Sequence, residues 1–215
     1  MAVSLTIGRS ILTKKNGEKQ LQRVRIKYTK DNPFIGHLDV VRLWERAIRR
    51  TEVPILYSEG FNPRQKISFG PPLPLGFTSE CELLDLLLKE NYSLGNLEEE
   101  LNKSLPMGFK IISAKNVPLH FPSLSKSIKM TTYRCRVSED ISAIIKEILR
   151  KEKIIVNRQS KQIDIRPFIK DITQSDSFVF ITAQCDEKGA LKGQEIKDLF
   201  GDIESLSFRR TKFHF

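Results

Sequence analysis

Apolar and polar positions alternate with two different periods in the N-terminal part of this chain, and each period predicts one element. In RVRIKY (23–28) basic and apolar side chains alternate, which is typical of a half-buried strand. One face of that strand would carry three basic side chains: Arg23, Arg25 and Lys27. A helix is predicted over residues 37–51, and it has to end before Pro54. Its apolar side recurs at helical spacing and consists of Val41, Trp44 and Ile48.

The rest of the chain repeats one order of elements. The first half continues with strands at 53–58, 81–89 and 109–117, a further strand or strand edge at 65–69, and a helix that Ser93 caps and that runs to Leu105. For residues 81–89 periodicity leaves a helix open as the alternative to a buried strand. The second half has strands at 129–137, 177–185 and 205–213, helices at 139–150 and 193–200, and a hairpin around 158–160. Strand, helix, strand, strand, helix, strand is the order of the split βαβ unit. The sequence therefore predicts an α+β fold of two ferredoxin-like halves with antiparallel sheets.

The predicted domain boundaries follow from this repetition. Residues 1–22 form an N-terminal extension, 23–118 the first ferredoxin-like half and 127–215 the second. The boundary lies in the segment PLHFPSLSK (118–126), which is rich in proline and serine.

The run YSEGFNPRQKISFGPPLPLGF (57–77) is unusual for a soluble domain, because it combines rigid proline with aromatic and basic residues. Its prolines preorganise the loop, so little entropy is lost when a ligand docks. Stacking is expected from Phe61, Phe69 and Phe77, and polar contacts from Asn62, Arg64 and Lys66. Aromatic faces beside basic side chains suit single-stranded RNA, and they equally suit a protein partner. A third interpretation is that the phenylalanines are core residues and the prolines only direct the chain.

The predicted first helix carries an arginine stripe opposite its apolar side. The stripe consists of Arg42, Arg46, Arg49 and Arg50. Such a cluster can contact phosphates, or it can be an ordinary solvated face. Asp39 can pair with Arg42 and Arg46 on adjacent turns, but exposed pairs of this kind are weak.

Charge favours a polyanion as a partner. The net charge is +10. Residues 1–50 hold 12 Lys and Arg against 4 Asp and Glu, whereas residues 71–100 hold 1 Lys against 7 Asp and Glu. This polarity fits nucleic acid on one side of the molecule. No apolar run is long enough for a membrane span, and no secretory signal is evident, so we expect a cytosolic protein.

Cysteine and histidine spacing argues against metal and cluster chemistry in this chain. Cys81, Cys135 and Cys185 lie about fifty residues apart, which matches neither a disulfide framework nor a CxxC or iron–sulfur motif. The three histidines are equally scattered. We therefore predict no metal site.

Three segments resemble a known bacterial family: GHLDVVRLWERAIRR (36–50), PILYSEGFNPRQKISFGPPLPLG (54–76) and SECELLDLLL (79–88). The chain is similar here to the radical SAM-linked, or radical SAM-associated, proteins with the DUF2344 domain. The residues that match the family pattern are His37, Leu38, Asp39, Tyr57, Ser58, Gly60, Phe61, Asn62, Pro63, Lys66, Ser68, Phe69, Pro72, Leu73, Pro74, Leu75 and Gly76. In the second half only the segment DIRPFI (164–169), which resembles a strand, and the final arginine-bearing strand agree loosely.

The resemblance implies a partner rather than a reaction. Family members occur beside, or fused to, B12-binding radical SAM proteins and often near a ribonuclease of the E/G type. The partner would carry the iron–sulfur cluster, S-adenosylmethionine and cobalamin, and this chain would carry no cofactor.

Three functions remain open at this point. The first is a non-catalytic accessory protein that binds RNA and presents it to the radical SAM partner. The second is a metal-independent ribonuclease, in which His37, Tyr28 and Lys66 would be the acid, base and charge-stabilising groups. The third is a protein–protein adaptor that does not bind nucleic acid.

Overall fold

The alternation in RVRIKY does produce a strand with one buried face. Val24, Ile26 and Tyr28 are each at most 2% exposed. The computed structural model describes residues 20–187, 189–201, 203 and 206–215. Most of the predicted N-terminal extension, residues 1–19, lies outside the described residues.

The described chain folds into eleven strands and five helices, with a 3-10 turn at Arg166–Phe168. In chain order they are β1 (Gln22–Lys30), α1 (His37–Arg49), β2 (Ile67–Phe69), β3 (Thr78–Leu88), α2 (Leu94–Ser104), β4 (Phe109–Asn116), α3 (Leu124–Ser127), β5 (Met130–Arg136), α4 (Ser142–Arg150), β6 (Ile155–Arg158), β7 (Lys161–Asp164), β8 (Ile169–Ser175), β9 (Phe178–Asp186), β10 (Gly189–Ala190), α5 (Gly193–Asp198) and β11 (Phe208–His214).

Nine of these strands form one sheet, in the order β10-β9-β5-β11-β3-β1-β4, with β2 beside β3 and β8 beside β9. The first half thus has the order β4-β1-β3-β2 and the second β11-β5-β9-β8, and every pairing within a half is antiparallel. One parallel pairing joins them, with Arg209 opposite Thr78 and Arg210 opposite Ser79. The predicted α+β class is confirmed. The predicted division into two ferredoxin-like halves stays a prediction, and the two predicted sheets are continuous.

Two main cores lie on the sheet. The first packs α1 and α2 onto β1, β3 and β4, with Trp44 and Leu97 fully buried. The second lies between α4, α5 and the strands of the second half, and it also contains Leu73 and Phe77 of the first half. A smaller cluster around Leu124, Ile128 and Phe213 includes Cys81, and places α3 against β3 and β11. The loop 70–77 therefore packs against the second half.

Most predicted elements are present, and two are wrong. The segment 53–58 is not a strand, because only Ile55 and Tyr57 make isolated bridges. DIRPFI does not form one strand either. Pro167 lies in the 3-10 turn, and strand β8, which no sequence pattern predicted, follows it. Ser93 does cap α2, since its hydroxyl accepts a hydrogen bond from the Asn96 N–H.

Candidate nucleic-acid interface

The arginine stripe of α1 lies on the surface. Arg42, Arg46, Arg49 and Arg50 are all exposed. The opposite side of α1 buries Val40, Trp44, Ala47 and Ile48. The sequence pattern predicts Val41 on the apolar side, but this residue is only half-buried. The buried side of the helix begins with Val40 instead, because residues 40, 44, 47 and 48 share one face at helical spacing.

Two of the four arginines have other partners. Arg42 pairs with Asp39 at 3.4 Å, where both side chains are largely exposed. Arg50 donates to the Ser104 hydroxyl and carbonyl oxygens at 3.2 and 2.7 Å, which links α1 to the end of α2. Arg46 and Arg49 form no ion pair within the described part of the chain. These two guanidinium groups remain available for an anion.

The first part of the unusual loop is a tight hairpin, the 57–65 hairpin, with Phe61 at its tip. Tyr57 bridges Gln65, and the Ser58 N–H donates to the Arg64 carbonyl at 2.8 Å. The Ser58 hydroxyl accepts from the Arg64 N–H at 2.9 Å. Gly60 has a φ of +109°, a conformation that side chains disfavour, so the turn requires glycine here. The Phe61 side chain is fully exposed as a result.

The fold brings the arginine stripe and the hairpin together in one groove. Its volume is about 330 Å³, and Arg49, Tyr57, Asn62 and Arg64 are among the residues that line it. Glu45 lines it too and approaches Arg64 at 3.9 Å. The sequence predicted the two basic segments separately, and this groove, the Arg49–Arg64 groove, is where they meet.

The other two phenylalanines of the loop are not free to stack on a ligand. Phe77 is fully buried and stacks on Phe208 with ring centroids 5.0 Å apart. Phe69 is half-buried and meets the His37 ring edge-on at 5.9 Å. Lys66 is exposed but lines a different groove, beside Arg23. For Phe77 the expectation of a stacking face is wrong, because the side chain completes the second core.

The three residues of the ribonuclease hypothesis do not share one site. Tyr28 and His37 line a small cavity under the N-terminal end of α1 together with Lys30 and Glu82, whereas Lys66 lines the separate groove. Burial holds the pKa of the Tyr28 phenol well above its usual value. Burial also lowers the pKa of Lys30, whose ammonium donates to the Asn32 and Phe77 carbonyls. These contacts hold the Lys30 ammonium in place, and the ribonuclease interpretation stays a prediction.

We expect His37 to make the stability of the fold depend on pH, because its ring is half-buried. Burial lowers the pKa of His37. The negative charge of Glu82 raises this pKa, and the positive charge of Arg210 lowers it further. An unfolded histidine titrates near a pKa of about 6.5, so below about pH 7 the unfolded state binds the proton more tightly. The free energy of unfolding should therefore fall as the pH falls through the folded pKa. In urea denaturation, the free energy of unfolding should fall less between about pH 7 and about pH 5 for His37→Gln than for the wild type. The exposed His120→Gln variant is the control, and equal losses in all three proteins would contradict this role.

A buried arginine that the sequence did not reveal fixes the GPPLPLG loop. Arg210 of β11 is 1% exposed and donates to the Pro71 and Pro72 carbonyls, each at 2.9 Å. It also donates to Glu82 at 2.9 Å and to the Tyr133 hydroxyl at 3.1 Å. Burial alone would lower the pKa of Arg210, but Glu82 holds it above its ordinary value. The guanidinium is therefore charged and ties the two halves together.

The same loop forms one wall of a cleft of about 670 Å³ against the second half. Pro74 faces Gly193 at the start of α5, where a Cβ atom on the glycine would lie 2.7 Å from the Pro74 Cβ. Cys185 lines the cleft as well. Burial raises the pKa of this thiol to about 11, so it stays protonated and is not an activated nucleophile.

One end of the molecule exposes apolar side chains. Hydrogen bonds from the Gly76 N–H to the Pro33 carbonyl and from the Asp31 N–H to the Gly108 carbonyl hold three loops together there. Four large side chains at this end, the apolar end, are at least 66% exposed: Phe34, Leu38, Leu75 and Met107. Exposed apolar residues grouped in this way are typical of a protein-docking surface.

The family-pattern residues occupy four places in the first half of the chain. His37, Leu38 and Asp39 form the first turn of α1, and Tyr57 to Pro63 form most of the 57–65 hairpin. Lys66, Ser68 and Phe69 lie at β2, and Pro72 to Gly76 form the loop that Arg210 holds. Among the described residues, no three His, Cys, Asp or Glu side chains are grouped to hold a metal ion. No helix in the described chain is long and apolar enough to cross a membrane.

The fold and these surfaces define an α+β protein built on a mostly antiparallel sheet, with a basic groove beside an exposed aromatic side chain. The chain belongs to the bacterial family described as uncharacterized protein conserved in bacteria (DUF2344), which matches residues 23–193. No curated protein matches the chain. Among solved structures, an unknown protein from Galdieria sulphuraria is 12% identical over 91% of this chain and 100% of that one, with a TM-score of 0.29. A likeness at that score does not establish a shared fold.

Proposed function

We propose that this protein is a non-catalytic accessory protein of the cytosol that binds single-stranded RNA beside a B12-binding radical SAM enzyme. The observation that carries the RNA part is the Arg49–Arg64 groove. It places a guanidinium without an acidic partner, an exposed arginine and the amide of Asn62 next to the fully exposed ring of Phe61.

Each of these groups suits one part of a single strand. Arginine side chains bind phosphates, and Arg46 lies one turn of α1 from Arg49 to extend the basic surface. A base can stack on Phe61, because no side chain of the described residues covers it. The Asn62 amide can bond to a base edge. A duplex keeps its bases stacked, so it cannot use Phe61 in this way.

The apolar end supports the accessory part of the proposal. A partner enzyme that docks on Phe34, Leu38 and Leu75 would lie at the first turn of α1, whereas Arg49 lies in the last turn, about 16 Å along the helix axis. The bound RNA would have to follow α1 to reach the partner. In this proposal the partner carries the iron–sulfur cluster, S-adenosylmethionine and cobalamin, and a ribonuclease of the E/G type acts on the same RNA. The adaptor function is the second candidate, since the apolar end would also serve it without nucleic acid.

We propose further that each half of the chain is a ferredoxin-like unit. The strand orders β4-β1-β3-β2 and β11-β5-β9-β8 support two split βαβ units that share one sheet. Such units cover one face of the sheet with helices and leave the other face to a ligand.

Fluorescence anisotropy with a labelled single-stranded RNA, a duplex RNA and a single-stranded DNA, each over a salt series, tests the RNA part. The single-stranded RNA should bind most tightly, with an affinity that falls as salt rises. The triple variant Arg46→Ala, Arg49→Ala, Arg64→Ala should make the slope of log K against log salt shallower by about 2. Each lost phosphate contact accounts for about 0.7 of that change. Phe61→Ala should weaken binding by about 5- to 150-fold with little change in slope.

A charge-matched control separates this groove from general attraction. Lys146, Arg150 and Lys153 are exposed on and after α4, so the triple alanine variant of these residues removes the same charge elsewhere. It should bind almost as the wild type does. No binding to any probe at low salt would rule out the RNA part and favour the adaptor. Equal losses in the two triple variants would mean that general charge attraction binds the RNA, and would rule out the Arg49–Arg64 groove as the site.

A further inference from the structure

The sheet has a second basic surface, on the face opposite α1 and α2. Val24 and Ile26 of β1 point into the first core, so Arg25 and Lys27 point to the other face. There Arg25 lies directly opposite Lys115 of β4, and Lys27 lies opposite Ser113. Two neighbouring strands thus place three cations on one face.

Strand β11 adds to this surface from the second half of the chain. Thr211, Lys212 and Phe215 line one groove of about 260 Å³ together with Arg25, Lys27, Ser113 and Lys115, over a floor that includes Cys81 and Leu83. Four of the lining residues are basic, and no acidic residue lines this groove, the sheet-face groove.

The charges of the sheet-face groove are poorly compensated inside the protein. Arg25 pairs with Asp85 at 2.8 Å, but Asp85 also binds Arg23 at 2.6 Å. Lys27, Lys115 and Lys212 form no ion pair within the part of the chain that the structure describes. Like charges directly across two strands, as in Arg25 and Lys115, destabilise a sheet. Arg25 is compensated by Asp85, but Lys27, Lys115 and Lys212 gain no anionic partner among the described residues, and a polyanion would neutralise them.

An exposed aromatic ring completes the surface. The Phe215 side chain is 67% exposed, and the Arg25 guanidinium carbon lies 6.0 Å from its ring centroid. The neighbouring Phe213 is buried against the sheet instead. One face of the Phe215 ring can therefore receive a base that has left its stack.

We propose that the sheet-face groove binds a segment of single-stranded nucleic acid, with phosphates on Lys27, Lys115 and Lys212 and one base on Phe215. The inference rests on the proposed RNA-binding function and adds a second contact on the opposite face of the molecule. A strand bound in both places would pass around an edge of the sheet, so a longer oligonucleotide binds more tightly than a short one.

The test uses the full chain and fluorescein-labelled oligouridines of about 6 and about 16 nucleotides, within the range of site sizes known for single-strand binders. The triple variant Lys27→Ala, Lys115→Ala, Lys212→Ala should reduce the salt slope for the longer probe by about 2. Phe215→Ala should weaken binding of the longer probe by about 5- to 150-fold, whereas Phe215→Trp keeps an aromatic ring and should bind as the wild type does. Because the lysine variant removes repulsion, its Tm should equal or exceed that of the wild type.

The outcomes separate this inference from the function on which it rests. One outcome would rule out the sheet-face site and leave the proposed function standing. In it the wild type binds RNA and the triple arginine variant loses affinity, but the triple lysine variant binds as the wild type does. If the wild type binds neither probe at low salt, both fail. Ultraviolet crosslinking of the longer probe should also join a uridine to the peptide that contains Phe215, and a crosslink only to the 57–65 hairpin would count against the second site.

Discussion

Replacing Arg210 with alanine should lower the free energy of unfolding by about 3–5 kcal/mol, because it leaves the buried carboxylate of Glu82 without its cation. Glu82 is 6% exposed, and Arg210 is its ion-pair partner at 2.9 Å. The substitution also removes the donors to the Pro71 and Pro72 carbonyls and to the Tyr133 hydroxyl. Chemical denaturation followed by tryptophan fluorescence measures the change, since Trp44 is buried in the first core.

A double-mutant cycle distinguishes the lost pair from lost packing. Arg210→Met alone should cost nearly as much as alanine, since it too leaves Glu82 uncompensated. Adding Glu82→Leu should recover part of the loss, because an apolar pair of similar volume often matches a buried ion pair. Additive losses in the double variant would mean that Glu82 does not depend on Arg210.

Asp85→Ala should be as damaging, by about 3–5 kcal/mol, since one carboxylate serves two partly buried arginines. Asp85 accepts from Arg25 at 2.8 and 3.0 Å and from Arg23 at 2.6 and 3.1 Å. Arg23 in turn donates to the Phe121 and Pro122 carbonyls. The substitution should therefore also loosen residues 118–123, and hydrogen exchange should rise there before it rises in α2.

Two further variants calibrate that result. Asp85→Asn keeps the shape and part of the hydrogen bonding, so it should cost less than alanine. Asp39→Ala removes only the exposed pair with Arg42 and should change stability by less than about 1 kcal/mol. A small effect of Asp85→Ala, similar to that of Asp39→Ala, would contradict this prediction. It would mean that water solvates the guanidinium groups of Arg23 and Arg25 in place of the carboxylate.

Local patterns predicted the elements that have one buried face, and they failed where burial is uneven. The alternation of β1 and the helical spacing of α1 both report a clear inside and outside, and both elements are present. Strand β8 was missed because IKDITQS is mostly polar, with only Ile169 and Ile172 buried beside β9. The segment 53–58 has strand-like residues, but the chain turns into the 57–65 hairpin before a ladder can form.

The candidate site could be predicted only in pieces. The arginine stripe and the hairpin are separate runs of sequence, and only the packing of α1 on the face of the sheet places Arg49 beside Arg64. Arg210 carries no local signal, since its partners Tyr133 and Pro71 are 77 and 139 residues away in the chain. The sheet-face groove likewise needs β11, which no local pattern places beside β3.

The position of β11 has a consequence for how the protein is made on the ribosome. This strand fills the middle of the sheet, between β5 and β3, although it is the last of the eleven strands to be synthesised. The first core can form early, but the edges of β3 and β5 stay unpaired until residues 208–214 have emerged. Nascent chains shorter than this expose strand edges that can pair with other chains. A chaperone that covers nascent strands would therefore act on this protein late, in the interval just before β11 closes the sheet.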